Sequence, residues 1–175
     1  MKDNIIIYTD GGCRGNPGLG AWASILISEK YNLRLEIGES EEMTTNNKME
    51  MKAVIKALER LKNSHNIKVY SDSAYLVNGM NGWIYTWQKN NWIKSDKKPV
   101  ENKEYWLKLI ELSKNHNIEF IKVKGHSDNK ENNRADEIVN ILMDERAHTF
   151  GGSQRNAFGK CAVDPGKPVE NRYQI

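Results

Sequence analysis

A chain of 175 residues, 38% hydrophobic and 28% charged with a mean hydropathy of −0.73, is sized for one globular domain and a short appendage. No run approaches the ~18 apolar residues of a membrane span, and Ile5-Ile6-Ile7 is too little for a signal-peptide apolar segment, so a cytoplasmic protein without membrane partners is expected. A net charge of +3 excludes a strongly basic chain; any surface for a polyanion must be local.

Asn4 to Asp10 is rich in β-branched residues and ends at Gly11-Gly12, which predicts a strand followed by a turn. Ala21 to Ile27 and Tyr31 to Ile37 predict two more strands; in the latter, Tyr31, Leu33, Leu35 and Ile37 alternate with polar residues. These three strands predict an antiparallel meander. From Thr44 the period turns helical. Met51, Val54, Ile55, Leu58 and Leu61 predict a helix capped by Thr44 or Thr45 and ending near Asn63. Ile67 to Asp72 predicts a strand and Ser73 to Met80 a short helix. A tryptophan-rich stretch, Asn81 to Asp96, follows. Tyr105, Trp106, Leu109 and Leu112 mark a helix, Ile118 to Val123 a strand, and Ala135, Ile138, Val139 and Leu142 a last helix. The order predicts a mixed five-stranded α/β sheet, its first three strands antiparallel and the rest parallel, with helices on both faces. Residues 1–148 are read as the folded domain. Residues 149–175, with Gly151, Gly152, Gly159, Gly166, Pro165 and Pro168, are read as a tail. Cys13 and Cys161 lie far apart without metal-ligand spacing and are read as free thiols. Nothing in the sequence demands more than a monomer.

Four acids stand where elements end or where helices face a sheet. Asp10 and Asp72 close the first and fourth predicted strands; if those strands are parallel neighbours, both carboxylates emerge at the carboxyl edge, where open α/β sheets bind ligands. Glu50 shares a helical stripe with Val54, Ala57 and Leu61, and Asp136 one with Val139 and Met143. An unpaired charge on such a stripe is costly. Taken singly, an Asp at a strand end is also ordinary turn chemistry. Clustered, the four cannot all ionise without a cation among them, and an all-oxygen donor set suits Mg²⁺ or Mn²⁺.

Tyr8-Thr9-Asp10-Gly11-Gly12-Cys13-Arg14-Gly15-Asn16-Pro17-Gly18, Thr44-Thr45-Asn46-Asn47-Lys48-Met49-Glu50, Ser71-Asp72-Ser73, and Val123-Lys124-Gly125-His126 followed by Asn132 and Asp136 together resemble the motifs of type 1 ribonucleases H, in order and spacing over roughly residues 4–145. The resemblance implies a metal-dependent endonuclease that cuts the RNA strand of an RNA–DNA hybrid, leaving 5′-phosphate and 3′-hydroxyl ends. Asp10, Glu50, Asp72 and Asp136 would hold two Mg²⁺ ions, and His126 would carry a proton or assist product release.

The same resemblance places Gly11, Gly12, Cys13 and Asn16 on the RNA side, and Thr45, Asn46 and Asn47 at a helix start suited to phosphate. The tryptophan-rich stretch resembles the family's basic protrusion, which grips DNA. Trp83, Lys97 and Lys98 are the expected contacts there, while Trp87 or Trp92 is expected to be mainly structural. Ala74 stands where bacterial members often carry a base-contacting glutamine, which implies an altered sequence preference. Asp128, two residues after His126, is an extra acid positioned to raise that histidine's pKa or attract a cation. Two rivals remain: a DNA-cutting enzyme of the same broad fold, and a catalytically silent hybrid-binding protein.

Overall fold

The computed structural model describes residues 2–125 and 128–150. Five strands form one sheet in the order β3-β2-β1-β4-β5: β1 Asn4–Arg14, β2 Gly18–Ser28, β3 Leu33–Thr44, β4 Asn66–Ser71 and β5 Asn117–Lys122. β1, β2 and β3 pair antiparallel, while β4 runs parallel to β1 and β5 parallel to β4. The predicted mixed sheet is therefore the one observed.

Alternation along the strands sorts side chains to two faces. Ile5 and Ile7 of β1, Leu35 and Ile37 of β3, and Ile67 and Val69 of β4 enter the larger core with Trp22, Met49, Val54, Leu58, Leu76 and Trp106. Helices α1 (Asn46–Glu59) and α4 (Lys103–Ser113) supply its second layer. On the opposite face Ala21, Ala23 and Ile25 of β2 pack against Ala135, Ile138, Val139, Leu142 and Met143 of α5 (Lys130–Phe150). Helices thus cover both faces.

Several predicted boundaries are corrected. Gly11-Gly12 is not a turn: β1 continues through both to Arg14, paired with β2, and the chain reverses at Gly15–Pro17. The glycines serve close approach instead, since a Cβ at Gly11 would run into the backbone of Met49 and Glu50. β3 begins at Leu33, leaving Tyr31 58% exposed in the preceding turn, and it runs on to Thr44. Thr45, not Thr44, caps α1: its side chain accepts the Lys48 N–H at 3.3 Å, and the helix ends at Glu59, short of Asn63.

The short helix predicted from Ser73 is α2 (Ala74–Asn78), capped by the Ser73 hydroxyl. It does not end there. A π-helical turn, Gly79–Trp83, leads into α3 (Ile84–Lys89), so the first half of the tryptophan-rich stretch is helical. Gly79 sits under the Trp106 ring, where a Cβ would collide with the indole.

Candidate active site

The parallel pairing of β1 with β4 stops at Tyr8↔Tyr70, and Asp10 and Asp72 lie two residues beyond on each chain. Period-two alternation puts both acids on the same face as those tyrosines, whose rings stack 5.1 Å apart. Asp10 is therefore not at the end of its strand, as predicted. It lies where β1 parts from β4, which produces the same carboxylate edge. α1 crosses β1 at Gly11 and delivers Glu50 to that edge, and α5 brings Asp136 over it from the other face.

One oxygen from each of Asp10, Glu50 and Asp72 lies within 4.8 Å of the others. Asp10 is 6% and Glu50 8% exposed. Burial pushes the Asp10 carboxyl up to about 8, reinforced by the charges of Asp72 and Asp136 and opposed by the Gly11 N–H. Burial, then Asp10 and Asp72, drives Glu50 well above the ordinary carboxylate range. Oε2 of Glu50 is fully buried without a hydrogen-bond partner. A buried acceptor left orphaned among like charges costs stability unless a cation joins it. Asp136 lies outside the group of three but within hydrogen-bonding reach of Asp10.

The acids open into a cleft of about 530 Å³. Gly11, Gly12, Cys13, Asn46 and Asn47 line it. Cys13 is a free, half-buried thiol that donates to the Thr44 carbonyl at 3.2 Å. Asn16 and Thr45 are not among the lining residues. Asn16 Oδ1 instead accepts the Asn46 N–H at 3.1 Å, tying the β1–β2 turn to the first turn of α1. One amide of that helix start is thus already engaged within the protein.

Arg14, Ser73 and Asn140, which the sequence reading did not single out, also line the cleft. Arg14 is paired with Asp144 at 2.6 Å. Asn140 follows Asp136 by four residues, one helical turn, and that spacing was the available signal.

A second, larger cavity of about 940 Å³ lies apart from the acids, with Trp83, Trp87 and Ile93 among Lys89, Lys94 and Lys97. Trp83 is 40% exposed, whereas Trp92 is 8% exposed and Trp87 half-buried between Trp83, Trp92 and Trp106. Trp92 is thus mainly structural, as expected of Trp87 or Trp92. Lys97 lines the cavity from a left-handed backbone (φ 68°). Lys98 is not among its lining residues; it is exposed, and its N–H donates to Asp96 at 3.1 Å. Ala74 is exposed on the first turn of α2, and Asp128 is exposed before α5. His126 and residues 151–175, Cys161 included, lie outside the described residues.

Residues 2–142 match the model of the RNase H family. The ribonuclease H of Caldanaerobacter subterraneus subsp. tengcongensis is 55% identical over 143 residues, covering 79% of this chain and 92% of the relative. That of Chlorobaculum parvum is 50% identical over 148 residues, covering 84% and 100%. Among solved structures, LC11-RNase H1 in complex with an RNA/DNA hybrid superposes with a TM-score of 0.62 at 31% identity, covering 82% of this chain and 99% of that one.

Proposed function

Because the chain belongs to the ribonuclease H family and is an enzyme of that kind, we propose that it hydrolyses the RNA strand of RNA–DNA hybrids, leaving 5′-phosphate and 3′-hydroxyl ends. The observation that carries this reading is the convergence of Asp10, Glu50 and Asp72 within 4.8 Å, with Asp136 in hydrogen-bonding reach of Asp10. The donors are all oxygen, the Asp10 and Glu50 carboxyls are pushed up by burial and then by neighbouring acids, and Glu50 Oε2 has no partner. Such a set fits hard divalent cations. Asp10, Glu50, Asp72 and Asp136 would hold two Mg²⁺ ions, with Mn²⁺ as a substitute. When bound, that pair supplies an activated water and stabilisation of the leaving 3′-oxygen.

The chain's own residues orient the hybrid. Gly11 and Gly12 let backbone come close to the RNA strand, with Cys13, Asn46 and Asn47 along the cleft wall. Asn16 and Thr45 act one step back by holding the start of α1 in place. Trp83, with Lys97 and Lys98, takes the DNA strand, where an exposed indole among lysines suits stacking and backbone contact. His126 carries a proton near the reacting phosphate. The neighbour LC11-RNase H1, solved with an RNA/DNA hybrid, supports the substrate class. Residues 1–148 form the catalytic unit, its last helix running on through Phe150 past the expected boundary, in a monomeric cytoplasmic enzyme; among the described residues no helix is long and apolar enough to cross a membrane.

Incubating the protein with an end-labelled hybrid, duplex DNA and single-stranded RNA tests this reading. Cleavage of the hybrid's RNA alone, dependent on Mg²⁺ and abolished by chelator, with products that a 3′-hydroxyl-requiring polymerase extends, is expected. Cutting of duplex DNA, or hybrid binding without cleavage, would overturn it.

A further inference from the structure

Asn140 is an exposed residue of α5 that lines the carboxylate cleft one helical turn after Asp136. Its Nδ2 donates to the Asp136 main-chain carbonyl at 3.0 Å and lies 3.5 Å from Asp136 Oδ1. The amide therefore grips both the backbone and the carboxylate of one residue. Asparagine is a poor choice for an exposed helix interior, because its short amide competes for backbone groups. Its hydrogen bonds run to the acid.

Asp136 is also the acid that most needs holding. Asp10 and Glu50 are buried and Asp72 joins them within 4.8 Å, whereas Asp136 stands outside that group, half-buried, on a helix. Its carboxylate is reached by Asp10, a like charge, and by the Asn140 amide, a neutral donor that favours one rotamer. Of the other cleft residues, Arg14 is paired with Asp144, and the Ser73 hydroxyl accepts the Leu76 N–H. An amide hydrogen bonded to one carboxylate oxygen leaves the other available to an incoming cation.

We infer that Asn140 is a positioning residue for Asp136: it presets that carboxylate for divalent-cation binding and takes no part in the chemical step. This rests on the proposal that Asp136 is a ligand. Partners of metal-ligating side chains act on metal affinity through orientation, and losing one typically weakens it about tenfold or more.

The test is calorimetric titration of Mg²⁺ into the substrate-free protein, beside Mg²⁺-dependence of hybrid cleavage, for the parent, Asn140→Ala, Asn140→Gln and Asp136→Asn. The expected result is Mg²⁺ binding about tenfold weaker in Asn140→Ala and partly restored in Asn140→Gln, which keeps the amide. KM for the hybrid at saturating Mg²⁺ should stay unchanged. Melting temperature in chelator should hold or rise, because alanine is the better helix former. Unmoved Mg²⁺ affinity in Asn140→Ala, or a rise in KM at saturating Mg²⁺ without a change in Mg²⁺ affinity, overturns the inference. Undiminished Mg²⁺ binding by Asp136→Asn would instead remove the reading beneath it.

Discussion

The backbone of Gly11 lies against that of Glu50 with no space for a side chain between them; a Cβ at Gly11 would overlap the Glu50 nitrogen and the Met49 carbonyl carbon. This contact seats α1 on β1 and sets how far Glu50 reaches toward Asp10. The glycine is thus tied to the carboxylate cluster through packing. Gly11→Ala should lower stability by about 1–3 kcal/mol, the usual cost of overpacking a tight contact. Turnover should fall further than the folded fraction does, because Glu50 is displaced. Urea denaturation alongside single-turnover cleavage checks this, and normal turnover per folded molecule would contradict it.

The shifted carboxyl of Asp10 has a consequence for stability against pH. Its pKa stands at about 8 in the folded protein against an ordinary 3.8, for burial first and then Asp72 and Asp136. A carboxyl raised on folding contributes stability that is whole below the unfolded pKa and is lost as pH climbs through the folded one. In chelator, the parent's melting temperature should therefore fall from about pH 5 to pH 9 more steeply than that of Asp10→Asn. Divalent cation should flatten the parent's curve. Parallel curves for the two proteins in chelator would refute this assignment.

The tryptophans divide by burial. Trp106 is fully buried and Trp92 is 8% exposed, while Trp83 is 40% exposed at the lysine-rimmed cavity. Trp106→Ala should cost about 3–5 kcal/mol, as large aromatic truncations in cores do. Trp83→Ala should leave melting nearly unchanged and weaken hybrid binding by about 1–3 kcal/mol, the scale of one stacked base. Fluorescence-anisotropy titration with a labelled hybrid reads the second effect; unaltered affinity would remove Trp83 from the interface.

Much of this was legible in the residues, and the exceptions have physical causes. Glu50 and Asp136 stood out because each places a charge on an otherwise apolar helical stripe, and both prove to face the cluster. The strands and helices themselves followed from alternation and period, and the order β3-β2-β1-β4-β5 came from the structure. Gly11-Gly12 reads as a turn because local sequence does not distinguish a glycine needed for positive φ from one needed for clearance between a strand and a helix. β3 was cut short because Gly38, Glu39, Glu41 and Glu42 break the apolar alternation, although pairing with β2 carries the strand on to Thr44. The hydrogen bond between Asn16 and Asn46 crosses 30 residues of chain, a tertiary contact with no local signature.

At the far end of the sheet, the ring of His116 accepts the His65 N–H at Nδ1, 3.1 Å away, and stacks on the buried His65 ring. Accepting requires an unprotonated Nδ1. Burial first, then His65 and Lys2, lowers the His116 pKa below its ordinary 6.5. A histidine depressed on folding favours the folded state when neutral, so its contribution is lost as pH falls below 6.5 toward the folded pKa. The parent should lose stability on acidification through that window, and His116→Asn, which keeps an acceptor and does not titrate, should lose less. Urea melts at neutral and mildly acidic pH measure the difference; equal losses would clear His116 of the effect.

On this account the buried carboxylate trio, with Asp136, forms one cation-dependent catalytic centre. Single-turnover cleavage of an RNA–DNA hybrid by Asp10→Asn in saturating Mg²⁺ tests it most directly. The rate should fall about a thousandfold or more, equivalent to roughly 4 kcal/mol of lost transition-state stabilisation, in a protein that melts no lower than the parent. Cleavage within about threefold of the parent rate would show that the chemistry does not pass through this cluster.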